Sequence, residues 1–248
     1  MASALQTSAQ MKTIGVIGGS THVATAEYYN VITKYINEHL GGYHTGKIII
    51  NSMDLAASEY FVRHDEWEQG GLHLRSIVSS LERAGADFII CVSNTWHRCA
   101  ESFMSGANIP LLHIADATAQ AIKAKSLKRV ALLGTKATMS GPYLRDIFTH
   151  KHGLEILTPT PEEQQEIDRV IFDELSKPVF LEESRQYYLK VIDDLQHRGA
   201  EGVILGCTEI PLLVKQEHRP DLPLFDTLVL HGEAAAREAV AGIEVRPK

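Results

Sequence analysis

Two stretches of the chain share one pattern without a gap: LERAGADFIICVSNT at residues 81–95 and LQHRGAEGVILGCTE at residues 195–209. Each begins at the end of a helical pattern, passes through a glycine and continues into a short apolar run. A glycine directly after a helix is typical of a helix C-terminus, and an unbroken apolar run is typical of a parallel strand buried on both faces. Both stretches therefore predict a helix, a strand and then a polar turn.

A second pair of stretches repeats at almost the same distance. KTIGVIGGS at residues 12–20 matches KRVALLGTK at residues 128–136, so this pair lies 116 residues apart and the first pair lies 114 residues apart. Order and spacing both repeat, which favours duplication of one unit over chance similarity between two common strand ends. Strands that alternate with helices predict mostly parallel sheets.

The predicted fold class is α/β, with two pseudo-symmetric lobes that each hold a mostly parallel sheet flanked by helices. We expect the active site in the cleft between the lobes, because ligands bind beyond the carboxyl ends of strands in open parallel sheets. The predicted division gives a flexible N-terminal tail at residues 1–10, a first lobe at residues 11–113 and 220–248, and a second lobe at residues 114–219.

The composition argues against several classes of protein. The 248 residues carry a net charge of −7, and no run of Lys or Arg indicates a nucleic-acid interface. No apolar stretch of about 18 residues predicts a membrane span, and the start of the chain does not resemble a secretory signal. Three cysteines without a Cys-x-x-Cys pair favour reduced thiols and a cytoplasmic location. The 12 scattered histidines do not suggest a zinc site.

Four polar segments follow predicted strands and are the candidates for the site: Gly18–Thr21, Ser93–Thr95, Thr135–Thr138 and Cys207–Glu209. The glycines of the first segment let backbone N–H groups approach an anion such as a carboxylate, but a tight strand-to-helix turn also uses glycine. The other segments supply hydrogen-bond donors that suit an amino-acid carboxylate, namely Asn94, Thr95, Thr135, Thr138 and Thr208.

Cys207 is the candidate acid or base. Exposed N–H groups at the start of a helix stabilise a thiolate, which can then remove a proton, and the alternative interpretation is a buried inert thiol. Glu209 either caps the helix that it begins or orients the Cys207 thiol, or does both. His97 is either a structural histidine or a neighbour that handles protons, whereas Cys91 and Cys99 are expected in the core.

Together these motifs resemble the pyridoxal-independent aspartate/glutamate racemases. The similarity runs from about Lys12 to Ala239 and is carried by GGSTHVATAEYY at 18–29, NTWH at 94–97, IPLLHIADAT at 109–118, LGTKATM at 133–139 and GCTEI at 206–210. The resemblance implies a two-base mechanism, in which one thiolate removes the α-proton and a thiol on the opposite face returns one. It implies neither a metal nor an organic cofactor.

The resemblance also assigns roles to residues. Cys207 matches the second-lobe cysteine of the family, and Lys177 resembles the lysine that meets the acidic side chain of the substrate. The expected substrate-binding residues are Ser20, Asn94, Thr95, Thr135, Thr138, Lys177, Thr208 and Glu209. The expected partners are a small amino-acid or carboxylate substrate and a second copy of the chain in a homodimer, without nucleic acid or membrane.

Ser93 departs from the family pattern, because it stands where the first-lobe cysteine belongs. A serine hydroxyl is a poor base unless another group activates it. The leading hypothesis is racemisation of an acidic amino acid, aspartate or glutamate. Cys207 is then the main acid and base, and Ser93 either positions or weakly relays the second proton. The alternatives are a lyase or decarboxylase similar to the dimethylsulfoniopropionate lyases and arylmalonate decarboxylases, and a non-catalytic amino-acid-binding protein. Arg63, His64 and Lys177 are the candidates for an anionic group on the substrate.

Overall fold

The computed structural model describes residues 10–243 of the chain. Contacts divide these residues into two compact units. The first unit contains residues 10–92, 101–112 and 232–243, and the second contains residues 93–100 and 113–231. Apart from Gln10, the predicted tail at residues 1–10 lies outside the described residues.

The first unit is built on a three-stranded parallel sheet with the strand order β2-β1-β3. Its elements are β1 (Thr13–Gly18), α1 (His22–Leu40), β2 (Lys47–Ser52), α2 (Leu55–Arg63), α3 (Trp67–Arg83), β3 (Phe88–Cys91) and α4 (Ala100–Met104). Strand β3 is buried at all four positions, and β1 is buried from its second residue onward. Burial of consecutive residues is expected of parallel strands that are covered on both faces.

The second unit is built on a four-stranded parallel sheet with the strand order β5-β4-β6-β7. After a 3-10 helix at Thr95–Cys99, its elements are α5 (Ile114–Ala124), β4 (Arg129–Leu133), α6 (Lys136–Ser140), α7 (Pro142–Asp146), β5 (Glu155–Leu157), α8 (Pro161–Val170), α9 (Glu182–His197), β6 (Val203–Leu205), α10 (Ile210–Leu213), β7 (Leu224–Asp226) and the beginning of α11 (Thr227–Ala239). From Gly232 onward, the residues of α11 belong to the first unit. Two π-helical turns, Ile147–Lys151 and Ile171–Leu175, follow α7 and α8. The predicted α/β class with two parallel sheets flanked by helices is confirmed.

The helices bury one face in the core and expose the other, as α3 illustrates. Leu74, Ile77 and Leu81 of α3 are buried at helical spacing, whereas Leu72 of the same apolar pattern is exposed. Within residues 10–243, no helix combines the length and the apolar character that a membrane span requires.

The two matched stretches form the same helix ending. Gly85 after α3 has a φ of 96° and Gly199 after α9 has a φ of 97°. In both copies the amide that follows the glycine donates to the carbonyl five residues earlier, at 3.1 and 3.0 Å. This is the Schellman arrangement, which requires a residue with positive φ and therefore favours glycine.

An acidic residue ties the start of the central strand to the turn after the helix in each copy. Asp87 Oδ2 accepts a hydrogen bond from Thr13 N at 2.6 Å, and Glu201 Oε2 accepts one from Arg129 N at 2.8 Å. The backbone amides of the two acidic residues donate to the carbonyls of the same two partners, both at 2.8 Å. This shared detail supports the interpretation that the units arose by duplication.

The unit boundaries differ from the predicted ones at two places. Residues 220–231 belong to the second unit, because Leu224–Asp226 pairs with Val203–Leu205 and so extends the second sheet. Residues 93–100 also belong to the second unit, where the Thr95 hydroxyl lies within hydrogen-bond distance of that of Thr135. The polar turn after β3 thus finds its hydrogen-bond partners outside the sheet from which it emerges.

The glycine turn after β1 is a tight strand-to-helix connection. Gly19 has a φ of 90°, and a Cβ atom at this position would overlap the carbonyl oxygen of Met53. The Gly19 amide donates to Thr25 Oγ1 at 2.9 Å, and the Thr21 hydroxyl caps α1 by accepting from Ala24 N at 3.1 Å. The local structure therefore supports the interpretation of these glycines as a turn.

We predict that Gly19→Ala destabilises the protein more than Gly85→Ala does. Both glycines have a similar positive φ, but the space around a Cβ at Gly85 is open. Backbone strain alone should lower the free energy of unfolding by about 1–2 kcal/mol, and the clash at Gly19 should add about 1–3 kcal/mol. Denaturant unfolding of both variants measures the difference, and equal losses would contradict the close approach to Met53.

Candidate active site

Cys207 lies directly after β6, and its thiol faces a carboxylate. The thiol Sγ donates to Glu209 Oε2 at 3.1 Å, and the Thr208 hydroxyl donates to the same oxygen at 2.8 Å. Cys207 and Glu209 are both buried. The predicted orienting role of Glu209 therefore has a direct contact to support it.

The expected stabilisation of a Cys207 thiolate is wrong. Burial and the negative charge of Glu209 raise the pKa of the Cys207 thiol well above its usual range, and Asp168 in α8 contributes in the same direction. The Glu209 backbone N–H opposes this rise without overcoming it. Helix α10 spans only Ile210–Leu213 and contains Pro211, which has no N–H, so it offers little positive charge to a thiolate.

Four hydroxyl groups form a connected cluster in the second unit. The hydroxyls of Thr95 and Thr135 lie 3.1 Å apart, those of Thr135 and Thr138 lie 3.0 Å apart, and that of Thr138 lies 3.0 Å from Tyr143 Oη. The threonines are buried, and Thr135 also caps α6. Burial raises the pKa of the Tyr143 phenol, so this group stays a proton donor. A cluster of buried hydroxyls can turn its O–H donors toward a carboxylate.

His97 holds the turn that contains Ser93. His97 Nδ1 lies 2.7 Å from the Ser93 carbonyl oxygen, and the Ile114 amide donates to His97 Nε2 at 3.3 Å. Both ring nitrogens are thus occupied by backbone groups, which supports the structural interpretation of His97. The Ser93 hydroxyl accepts from Trp96 N at 3.4 Å, at the start of the 3-10 helix.

Asn94 is connected to the sheet of the second unit through one side chain. Asn94 Nδ2 donates to Thr227 Oγ1 at 2.8 Å, and the Thr227 hydroxyl donates to the Leu205 carbonyl at 2.9 Å. Both side chains are buried. Since Leu205 ends β6 two residues before Cys207, this connection fixes Asn94 relative to the strand that presents the thiol.

Comparison with known proteins identifies the family. The family model for Asp/Glu/hydantoin racemases matches residues 14–236. The chain belongs to the Asp/Glu/hydantoin racemase family. The match spans both units, so the predicted family is confirmed over almost the whole chain.

Individual relatives support the same conclusion. A crystal structure of a candidate Asp/Glu racemase from Yersinia pestis is 39% identical and has a TM-score of 0.86, with 93% of this chain and 100% of that chain covered. An aspartate racemase homologue from Pyrococcus horikoshii OT3 is 33% identical with a TM-score of 0.79, covering 92% and 99%. The broad specificity amino-acid racemase RacX of Bacillus subtilis is 20% identical over 86% of this chain and 92% of its own length.

The residues predicted from the racemase motifs fall into two groups. The structure places eight of them in the second unit, around β4, β6 and the 93–99 turn: Ser93, Asn94, Thr95, Thr135, Thr138, Cys207, Thr208 and Glu209. Ser20 lies in the first unit, where its hydroxyl is buried and has no hydrogen-bond partner among residues 10–243.

The candidate cations for the acidic side chain lie on the surface. The Lys177 side chain is 64% exposed and its Nζ lies 3.8 Å from Asp173 Oδ1. Arg63 pairs with Glu59, one helical turn earlier in α2. Exposed ion pairs of this kind are weak, so neither pairing prevents the cation from binding another anion.

Three residues near this site escaped prediction from the racemase motifs. Tyr143 joins the hydroxyl cluster, Thr227 holds Asn94, and Asp168 accepts from Lys136 N at 2.6 Å at the start of α6. Tyr143 lies five residues after Thr138, and the helix is interrupted between them at Gly141. This spacing does not predict that two residues share a helix face. Thr227 lies 133 residues from Asn94, and no local pattern connects them.

The other cysteines and histidines give no sign of a metal site. Cys91 and Cys99 are buried and are not joined by a disulfide, as expected for reduced cysteines of the core. Among residues 10–243, no group of three or more His, Cys, Asp or Glu side chains is arranged to hold a metal ion. The rings of His97 and His113 lie 4.4 Å apart between centroids, and burial lowers the pKa of His97 to about 4 and that of His113 to about 2.

We predict that acid destabilises the protein through these histidines. Between about pH 6 and pH 4 an unfolded chain protonates both rings, whereas the folded chain keeps them neutral, so stability falls as the pH falls. Each such histidine contributes about 1.4 kcal/mol per pH unit. Urea unfolding between pH 7 and pH 4.5 measures the slope, which His97→Gln should reduce by about one proton. An unchanged slope in that variant would contradict the prediction.

Proposed function

We propose that this protein is a cofactor-independent racemase of an acidic amino acid, aspartate or glutamate. The observation that carries the proposal is the Cys207 thiol at the end of β6, in the same unit as the hydroxyl cluster of Thr95, Thr135 and Thr138, in a chain of the racemase family. The thiol supplies a group that can exchange the α-proton. The cluster supplies donors for the α-carboxylate.

The hydroxyl cluster supports the chemistry as well as the binding. Removal of an α-proton leaves negative charge that spreads onto the carboxylate oxygens. Buried donors that already point at those oxygens stabilise this charge without further reorganisation. We propose that Thr95, Thr135 and Thr138 serve this purpose, with Asn94 and Thr208 as further donors and Tyr143 as a donor held by Thr138.

The carboxylate beside the thiol favours an amino acid over other acids. Glu209 Oε2 lies 3.1 Å from Cys207 Sγ, so a substrate that reacts at this sulfur meets a negative charge. An α-ammonium group is attracted by that charge, whereas a malonate dianion is repelled. This observation supports racemisation of an amino acid above the decarboxylase hypothesis.

Because Ser93 stands opposite Cys207 in the proposed reaction, proton exchange on the two faces of the substrate α-carbon should differ in rate. A hydroxyl is a much weaker acid than a thiol and therefore removes or returns a proton less readily. The Ser93 hydroxyl also accepts from Trp96 N, a bond that favours a positioning role. We propose that Cys207 serves one face of the α-carbon efficiently and that exchange on the Ser93 face is slow, so that one enantiomer is the better substrate.

The acidic side chain of the substrate is assigned to Lys177. Its ammonium group is exposed and is held only by the 3.8 Å pair with Asp173 among the ion pairs of the described chain. The name of the Bacillus subtilis relative, a broad specificity amino-acid racemase, recommends a substrate panel that extends beyond aspartate and glutamate. We further propose a cytoplasmic location, because the chemistry requires Cys207 as a reduced thiol. The homodimer is proposed only because the resemblance to the racemase family implies it.

The first test of this function follows α-proton exchange in deuterated water by proton NMR. We expect loss of the α-proton signal from aspartate or glutamate, faster for one enantiomer. Cys207→Ala should reduce the exchange at least about 100-fold, because general acid–base catalysis contributes that much or more. Cys99→Ala is the matched control, since it removes a buried thiol of the same unit and should leave exchange unchanged.

The outcomes separate the hypotheses. Exchange that persists in Cys207→Ala contradicts the assignment of Cys207. If no amino acid in the panel exchanges, the racemase proposal fails, and sulfonium acids and malonates become the next panel. Tight binding of an amino acid without turnover, unaffected by Cys207→Ser, would indicate a binding protein.

A second prediction concerns the hydroxyl cluster. Tyr143→Phe removes one O–H donor and keeps the ring, so it should raise KM by about tenfold, the loss of one hydrogen bond to a charged group, with a smaller change in kcat. Tyr187→Phe in α9 of the same unit is the control and should leave KM unchanged. Steady-state kinetics of both variants test this, and a Tyr143→Phe variant with unaltered KM would exclude the phenol from the site.

A further inference from the structure

Arg98 lies on the same face of the 3-10 helix as Thr95, a member of the hydroxyl cluster. This helix spans Thr95–Cys99, and side chains three residues apart eclipse one another in a 3-10 helix. Thr95 is buried with its hydroxyl 3.1 Å from that of Thr135, whereas Arg98 is exposed. A long cationic side chain at this position can cover a ligand held by the Thr95 hydroxyl while its charge stays hydrated.

The positive charge of Arg98 acts on the hydroxyl cluster. Helix α7, which carries Tyr143, packs against the 3-10 helix. The Arg98 guanidinium opposes the rise in the pKa of the Tyr143 phenol that burial causes. Because the Tyr143 hydroxyl lies 3.0 Å from that of Thr138, the charge of Arg98 reaches the same group of hydroxyls from which Thr95 extends.

The hydroxyl cluster has donors for a carboxylate but no charge of its own. Threonine and tyrosine hydroxyls are neutral, and a carboxylate that leaves water for a buried site costs free energy unless it is paired as well as hydrogen-bonded. Removal of the α-proton then places further negative charge on the carboxylate oxygens. A cation beside the cluster stabilises the bound carboxylate and the charge that develops on it.

We propose that Arg98 binds the α-carboxylate of the substrate together with the hydroxyls of Thr95, Thr135 and Thr138. This inference rests on the proposed function, because it names the positive charge for the carboxylate that was assigned to those hydroxyls. The planar guanidinium offers paired N–H donors that match the two oxygens of a carboxylate. Lys177 keeps the side-chain carboxylate, so that two different cations bind the two carboxylates of aspartate or glutamate.

Three small ligands separate the two carboxylates in a binding experiment. Aspartate carries both, alanine lacks the side-chain carboxylate, and β-alanine is aspartate without its α-carboxylate. Arg98→Gln removes the positive charge and keeps a polar side chain. The Kd for aspartate and the Kd for alanine should rise by the same factor, about tenfold, which corresponds to the loss of one hydrogen bond to a charged group. The Kd for β-alanine should stay unchanged. Ligand-observed NMR titration measures all three constants.

Two further variants isolate the charge of Arg98. Arg98→Lys keeps the positive charge without the planar fork, so it should bind aspartate and alanine more tightly than Arg98→Gln does. Arg145→Gln is the matched control and should leave all three constants unchanged. Arg145 is also an exposed arginine, but it lies two residues after Tyr143 in α7, and side chains at that spacing do not face the same way. Circular dichroism and thermal unfolding verify the fold of each variant.

Three results would overturn the assignment of Arg98. The first is unchanged binding of aspartate and alanine by Arg98→Gln. The second is weaker binding of aspartate but not of alanine, which would place Arg98 at the side-chain carboxylate. The third is an equal loss for β-alanine, which has no α-carboxylate. Failure of the proposed function is distinct, because it appears as absence of α-proton exchange in the unaltered protein, whereas the Kd comparison requires no turnover.

Discussion

The close approach of two backbones at the ends of β4 and β6 is the constraint on which the polar site of the second unit depends. The Gly206 amide donates to the Leu133 carbonyl at 2.6 Å, and a Cβ atom on Gly206 would stand only 2.6 Å from that oxygen. A Cβ atom on Gly134 would stand 2.9 Å from the Gly206 carbonyl oxygen. Because both positions lack a side chain, the strands end side by side and the residues that follow them, Thr135 and Cys207, emerge at one sheet edge.

The surroundings of this sheet edge keep the Cys207 thiol and two nearby histidines in their uncharged forms. The thiol lies against a carboxylate, and burial keeps it protonated. His97 and His113, which support the preceding turn, are kept neutral by the same loss of hydration. This edge of the sheet therefore carries hydrogen-bond donors and a protonated thiol.

Prediction from sequence succeeded where local patterns determine the outcome. The apolar runs predicted buried parallel strands, Gly85 and Gly199 predicted the two helix ends, and the polar segments after β4 and β6 do emerge side by side at one sheet edge. Prediction from sequence failed where the outcome depends on burial or on a partner that lies far away in the chain. The Cys207 pKa depends on how completely the fold excludes water, and Tyr143 and Thr227 reach the site through contacts that no spacing along the chain encodes.

The sequence by itself determined the α/β class, the repeated helix–glycine–strand unit, the family and the polar segments that follow the strands. These depend on short-range rules: residue periodicity, the positive φ that glycine tolerates and the polar residues that follow buried strands. Only the tertiary structure decided which strand completes the second sheet, where the 93–99 turn finds its partners and which carboxylate lies beside the Cys207 thiol. Those outcomes depend on desolvation, on distances between residues far apart in the chain and on the rotamers of neighbouring side chains. All three are fixed only when the chain packs into its tertiary structure.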